Sequence, residues 1–217
     1  MRDRKQTRPV AALIGDVVGS RSASDRGALH ARLRALLDEV NADVRPVVPL
    51  RITVGDEYQG CFATVGEALA AGFRLRLAAL PEVDVRHGVG WGTVAVLDEE
   101  PRIEDGPGWW AAREAIDAVK AEASRAALRR VRTSYRRAES TDGPDPAAVN
   151  AALLCRDQMV GSLSVRSVEL LRGLLAGRTQ AEIAAEQQVS ASAMSQRVRH
   201  DGLAVVLAAD ELLSGVT

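Results

Sequence analysis

The reading of one stretch, ITVGDEYQGCF from Ile52 to Phe62, decides the fold. β-branched residues lead into Gly55, Asp56 and Glu57, and aromatic and apolar residues lead away, so the segment reads as a hairpin with two adjacent carboxylates at its tip. The acids either complete the turn, the commoner use of Asp beside Gly, or hold a cation.

Upstream, PVAALIGD is an almost continuous apolar run ending at Asp16, the pattern of a strand buried on both faces. Leu29, Leu33, Leu36, Leu37 and Val40 then recur at helical spacing and predict a helix from about Ser24 to Asn41. Downstream, Thr64 with Glu67 is a capping-box signature for a second helix that turns Leu69, Phe73, Leu77 and Leu80 inward. VDVRHGVGWGTVAVL supplies one more strand, or two divided around Gly90 to Gly92, and a helix is expected from about Trp109 into the basic segment Lys120–Arg137. This order matches the ferredoxin-like βαββαβ arrangement, an α+β fold in which the end of the first strand and the hairpin turn share one sheet edge. Asp16 and Asp56 then meet.

The 217 residues are 47% hydrophobic, enough for one large domain or two small ones. No apolar run is long enough to cross a bilayer, and the charged start MRDRKQTRP precedes no apolar leader, so a cytoplasmic protein without a membrane partner is expected. Cys61 and Cys155 lie in apolar surroundings without metal-ligand spacing and read as buried reduced thiols. His30, His87 and His200 form no ligand spacing either; His87 reads as a hydrogen-bonded strand residue. A net charge of −1 excludes a polycation, yet Lys120–Arg137 is strongly basic and suits either phosphate neutralisation or a solvated helix face.

The chain divides into a palm-like domain over residues 8–138 ending in the basic helix, a linker over 139–146 rich in Ser, Thr, Gly, Pro and Asp, and a helical domain over 147–217. In the last, Ser164 can cap a helix carrying Val168, Leu171, Leu174 and Leu175, which Gly177 ends. Thr179 with Glu182 opens a second, and Ser190 or Ser192 starts a third that buries Met194 and Val198. TQAEIAAEQQVSASAMSQRVR resembles the helix-turn-helix of sigma factors and related regulators, with Gln188 where such turns often use glycine. The outward residues Ser192, Ser195, Gln196 and Arg199 would reach base edges, and Arg178, Thr179 and Arg197 phosphates. A helical dimerisation domain shares the same core spacing.

Two aspartates on neighbouring strand ends suit Mg²⁺, a hard cation that prefers oxygen ligands and keeps waters or phosphate oxygens in its other positions. Gly19 in GDVVGS permits a tight turn, and backbone N–H groups at the following helix start could face a phosphate. ALIGDVVGS, ITVGDEYQGCF, VRHGVGWGTV and GPGWWAAREAI fall in the order seen in class III nucleotidyl cyclases and, more loosely, GGDEF-type diguanylate cyclases. The whole chain, helical tail included, resembles the SatD family. The cyclase resemblance implies that Asp16 and Asp56 bind metal and that Arg113 is a transition-state arginine; Trp109 or Trp110 falls where cyclases orient the ribose. Gly19, Ser20 and Trp109 are thus candidate nucleotide contacts, with a nucleoside triphosphate and Mg²⁺ as cofactors. Glu57 either joins the ligands or pairs with an arginine. The tryptophans either stack on a base or anchor their helix to the sheet.

These features point to a bacterial DNA-binding regulator, expected as a homodimer on DNA, whose palm domain senses a nucleotide with Mg²⁺. The rival reading is an enzyme, a nucleotidyl cyclase or nucleotidyltransferase using the two aspartates.

Overall fold

The computed structural model describes residues 8–20, 25–100 and 102–217. Its elements are β1 (Val10–Val17), α1 (Arg26–Val44), β2 (Val48–Val54), β3 (Glu57–Phe62), α2 (Val65–Ala79), β4 (Val85–Gly92), β5 (Ala95–Glu99), β6 (Arg102–Asp105), α3 (Pro107–Ala123) and β7 (Thr133–Arg137). Helices α4 (Pro146–Val160), α5 (Val165–Leu175), α6 (Gln180–Glu186), α7 (Ala191–His200) and α8 (Leu203–Ser214) follow. The expected start of the first helix at Ser24 lies outside the described residues; Asp25 caps α1 by accepting the N–H of Ala28 at 2.8 Å.

The main sheet runs β2-β3-β1-β4-β7. Central β1 is antiparallel to both β3 and β4, β2 is antiparallel to β3, and β5 and β6 form a separate ribbon. The first four strands with α1 and α2 make the βαββαβ arrangement of an α+β protein. β7 is a correction: the basic segment does not continue α3, which stops at Ala123. A short 3₁₀ turn over Ala126–Leu128 follows, and Thr133–Arg137 pair in parallel with His87–Trp91. Val131, Thr133, Ser134 and Tyr135 are buried and only Arg136 and Arg137 stay exposed, so burial of this segment on the sheet outweighs the solvation that its arginines would gain on a helix.

Side-chain alternation divides the strands between two covered faces. Ala11, Leu13 and Val17 of β1 pack with Leu33 and Leu37 of α1 and Leu69 and Leu75 of α2. Ala12 and Ile14 face the other way, into a cluster with Cys61, Trp109, Ala112 and Ile116 under α3. On that second face β4 carries Arg86 and then three glycines, Gly88, Gly90 and Gly92. A Cβ at Gly88 would stand 2.3 Å from Ile116 N, and one at Gly90 2.2 Å from Ala112 N and from Gly108 O. Helix backbone lies directly on strand backbone. No side chain fits between them.

The segment 139–146 marks a change of secondary structure, but the packing across it is continuous. Val149 and Leu153 of α4 and Leu213 of α8 enter the cluster behind the sheet. Phe73 and Leu77 of α2 enter the cluster formed by α5 to α8. A buried ionic network joins the same parts: Arg76 bonds Asp84 and Asp157, each at 2.8 Å, and Arg132 Nε bonds Asp84 at 2.7 Å. Asp157 also accepts the N–H groups of Arg132 and Thr133 at 2.7 Å. Arg156 bonds Asp210 at 2.9 Å with its guanidinium 4.3 Å from the centre of the Phe73 ring, although its Nε and Nη2 have no hydrogen-bond partner among the described residues. Burial pushes the Asp84 carboxyl up, but the guanidiniums of Arg76 and Arg132 outweigh it and hold it below its ordinary value.

Of the cysteines, Cys61 is buried, and burial pushes its thiol up to about 12. Cys155 is exposed, contrary to the expectation of two buried thiols, because α4 turns Leu153 and Arg156 inward and Cys155 to the outside. His87 lies 2.7 Å from the Tyr58 hydroxyl through Nε2, and burial depresses its imidazole to about 3. No described helix is long and apolar enough to cross a membrane.

Two stability predictions follow from this packing. Gly90→Ala should lower unfolding free energy by about 3 kcal/mol, read as a shifted urea midpoint at constant slope, because backbone and not a flexible side chain meets the new methyl. His87 titrates near 6.5 in the unfolded chain and at about 3 when folded. Between those values the unfolded chain holds the extra proton, so this residue's share of stability should be lost as pH falls from about 6.5, by roughly 1.4 kcal/mol per unit. His87→Gln should flatten that slope.

Candidate functional site

Asp16 sits near the end of β1 on the α3 face, directly opposite Arg86 of β4 in the strand register. Arg86 Nε donates to Asp16 Oδ1 at 2.8 Å. Lys120, in the last turn of α3, places its Nζ 2.9 Å from Asp16 Oδ2. Both carboxylate oxygens therefore face a cation.

The hairpin supplies the second acid. Val54 pairs with Glu57 across a two-residue loop in which Gly55 adopts φ 64°, a conformation open to glycine at little cost, and Asp56 takes the next position. Asp56 Oδ2 accepts the N–H of Val17 at 3.1 Å, which ties the hairpin tip to the end of β1. The two aspartates, 40 positions apart, thus share one cavity of about 490 Å³ with Glu57, Arg86 and Lys120, and Gly19 and Ser20 form part of its wall.

Glu57, at the start of β3, is gripped by Arg113 in a two-pronged pair, Nη1 to Oε2 at 2.8 Å and Nη2 to Oε1 at 2.7 Å. Hydrogen bonding from Arg113 holds the Glu57 carboxyl below its ordinary value despite partial burial, and Glu57 in turn raises Arg113. Of the two expectations for Glu57, the arginine partner is the one present. The partner comes from the middle of α3 and not from the basic segment.

The formal charges of Asp16, Asp56 and Glu57 are matched by those of Arg86, Lys120 and Arg113. Among the described residues no group of three or more His, Cys, Asp or Glu could hold a metal ion unaided. The two carboxylates on one cavity do fit the usual manner of Mg²⁺ binding, in which one or two acids share the ion with phosphate oxygens and water. They do not make a dedicated cage.

Other expectations fare differently. Trp109 is 7% exposed, packed against the sheet with Ala12, Ile14 and Cys61, and has no place on the cavity; stacking a nucleobase there is ruled out by its burial. Trp110 is exposed and donates to Asp105 at 2.7 Å. At the start of α1 the Asp25 carboxylate caps the helix, a negative group where a phosphate was expected to find free N–H donors. Arg86 was not foreseen, and Lys120 was foreseen only as one end of the basic segment suited to phosphate neutralisation or a solvated face. Alternation along VRHGVG puts Arg86 on the face of Gly88 and Gly90, and Lys120 follows Arg113 at i+7 on the same side of α3, which gives the face of each but not their shared partner Asp16.

In the helical part, α6 opens with the Thr179–Glu182 capping box, Gln188 takes φ 54° in the corner, and Ser190 caps α7. The left-handed corner is thus occupied by glutamine. Arg178 pairs with Glu186, and the Thr179 hydroxyl is engaged by Glu182, so two of the three expected phosphate contacts already have partners on α6. Ser192, Gln196 and Arg199 are exposed along α7, whereas Ser195 and Arg197 are half-buried.

The SatD family matches residues 10–213. No curated protein matches the chain. Among solved structures, a bacterial light-regulated adenylyl cyclase aligns at 10% identity and TM-score 0.47 over 60% of this chain and 43% of its own, so this chain spans less than half of that protein. The catalytic core of a rhodopsin-guanylyl cyclase with converted specificity, in complex with ATPαS, aligns at 20% identity and TM-score 0.41, covering 54% of this chain and 76% of that one. The adenylyl cyclase CyaB from P. aeruginosa aligns at 15% identity and TM-score 0.37, covering 50% and 70% respectively. Such distant likenesses carry no statement about chemistry in this chain.

Proposed function

The chain belongs to the SatD family, and for this member we propose an enzyme that binds a nucleoside triphosphate with Mg²⁺ at the Asp16–Asp56 cavity, a nucleotidyl cyclase or related nucleotidyltransferase. The observation that carries the reading is the convergence of Asp16 and Asp56 on one cavity that also presents Arg86 and Lys120. Its volume of about 490 Å³ is within the range of small-molecule sites. The mixture of charges supports it too, because a polyphosphate needs cations for its oxygens and carboxylates for its metal.

Asp16 and Asp56 would hold Mg²⁺, which when bound neutralises phosphate charge and makes an attacking hydroxyl more acidic. Arg86, fixed in its strand, and Lys120 offset the charge of the phosphate chain. Gly19 and Ser20 let the backbone of the loop after β1 approach the ligand. Arg113 is held by Glu57 through both donors, and on exchanging that carboxylate for substrate those donors would suit the charge that develops on a transferring phosphoryl group.

Incubation with each nucleoside triphosphate and Mg²⁺ or Mn²⁺ tests the reading. Pyrophosphate release is expected, and Asp56→Asn, which keeps an oxygen for the Val17 N–H, should reduce it roughly 10²-fold. Binding without turnover would instead make the palm a nucleotide sensor.

A second reading, a DNA-binding regulator, is favoured by the exposed row Ser192, Gln196 and Arg199 along α7. Two copies would read two half-sites, and nucleotide in the cavity would alter their pairing. Salt-sensitive capture of duplex DNA is expected on that reading, and Arg197→Ala with Arg199→Ala should lower both the affinity and its salt dependence. Unchanged binding in that double variant would rule out docking through α7.

A further inference from the structure

Resting on the nucleotide reading above, we propose that Lys120 is a displaceable plug: in the free protein its ammonium fills the metal-binding side of Asp16, and a polyphosphate draws it away, so that a divalent cation enters with nucleotide and not before it.

The two cations on Asp16 are not equivalent. Arg86 is the cross-strand neighbour of Asp16, and its side chain is 21% exposed, held within the sheet. Lys120 is in the last turn of a helix with 37% of its side chain exposed. A lysine ammonium is a compact point charge on a flexible four-carbon stem, able to stand where a small hard cation would and able to leave. It lines the same cavity as Asp56 and Glu57, and its charge favours the ionised Glu57.

Charge gives the order of entry. A divalent ion arriving alone meets a cluster whose formal charges already cancel, and must displace Lys120 with no new anion to receive it. A triphosphate brings several negative charges into the same cavity. Lys120, on the cavity wall, then exchanges Asp16 for a phosphate oxygen in the same cavity. Asp16 Oδ2 becomes free for the metal that the phosphates carry.

Mn²⁺ titration of the full chain without nucleotide, followed by the EPR signal of the free ion, tests the plug. Wild type should bind weakly. Lys120→Met should tighten binding by about threefold to fivefold, the upper end of what a partly exposed ion pair allows. Lys120→Arg should not, and neither should Arg125→Gln, which removes a cation just past α3 that does not line the cavity. An equal gain in Lys120→Met and Arg125→Gln, or no gain in Lys120→Met, overturns the proposal. A second measurement needs no variant: ¹⁵N NMR of the lysine ammonium groups with Mg²⁺ and an α,β-methylene nucleoside triphosphate should show Lys120 moved from carboxylate to phosphate. If the analogue binds and Lys120 stays on Asp16, the plug is wrong and the nucleotide site stands. If the analogue does not bind, the site and the plug fall together.

Discussion

The close approach of α3 to β4 is the constraint on which the rest depends. Because Gly88 and Gly90 have no side chain, the backbone around Gly108, Ala112 and Ile116 rests on the strand itself. A helix riding on ordinary side chains would sit several ångströms higher. Lys120 could not then reach Asp16 at 2.9 Å, nor Arg113 grip Glu57 with both donors. The cavity chemistry is thus set by an absence of atoms on the strand beneath it. The same contact explains the burial of Trp109, which lies near the helix start and is pressed into the cluster under α3.

A different kind of bond holds the opposite side. Arg76, Asp84, Arg132 and Asp157 link α2, the entrance to β4, the approach to β7, and α4 through charged hydrogen bonds. Buried charges of this type add little net stability compared with apolar packing, but removing one member leaves its partners uncompensated, which makes the arrangement specific. Asp84 lies two residues before Arg86, so the network also helps to set where the strand carrying Arg86 begins.

The fold was largely legible because its signals are local. The apolar run to Asp16, the Gly55–Asp56 turn and the Thr64 and Thr179 caps each need only a few neighbouring residues to be recognised. β7 escaped because its pairing with β4 joins distant segments, while its arginines imitate a solvated helix. At the site the acids were legible and the cations that pair with Asp16 were not. Arg86 acquires meaning only once β4 is known to lie beside β1, a register that no local pattern prints. Trp109 was misplaced among the nucleotide contacts, although its spacing to Ala112 and Ile116, three and seven positions on, is that of the inward side of an amphipathic helix.

The docking of the last helix carries one more meaning. Gly66, at the start of α2, donates its N–H to Val216 at 2.8 Å, and a Cβ there would stand 2.1 Å from Ser214 O. The tail is keyed into the back of the palm by a contact that tolerates no added atom. Such a chain cannot exchange its last helix for an unrelated one without stripping the Gly66 N–H of its acceptor and withdrawing Leu213 from the cluster behind the sheet; the two ends of the sequence form one packing unit.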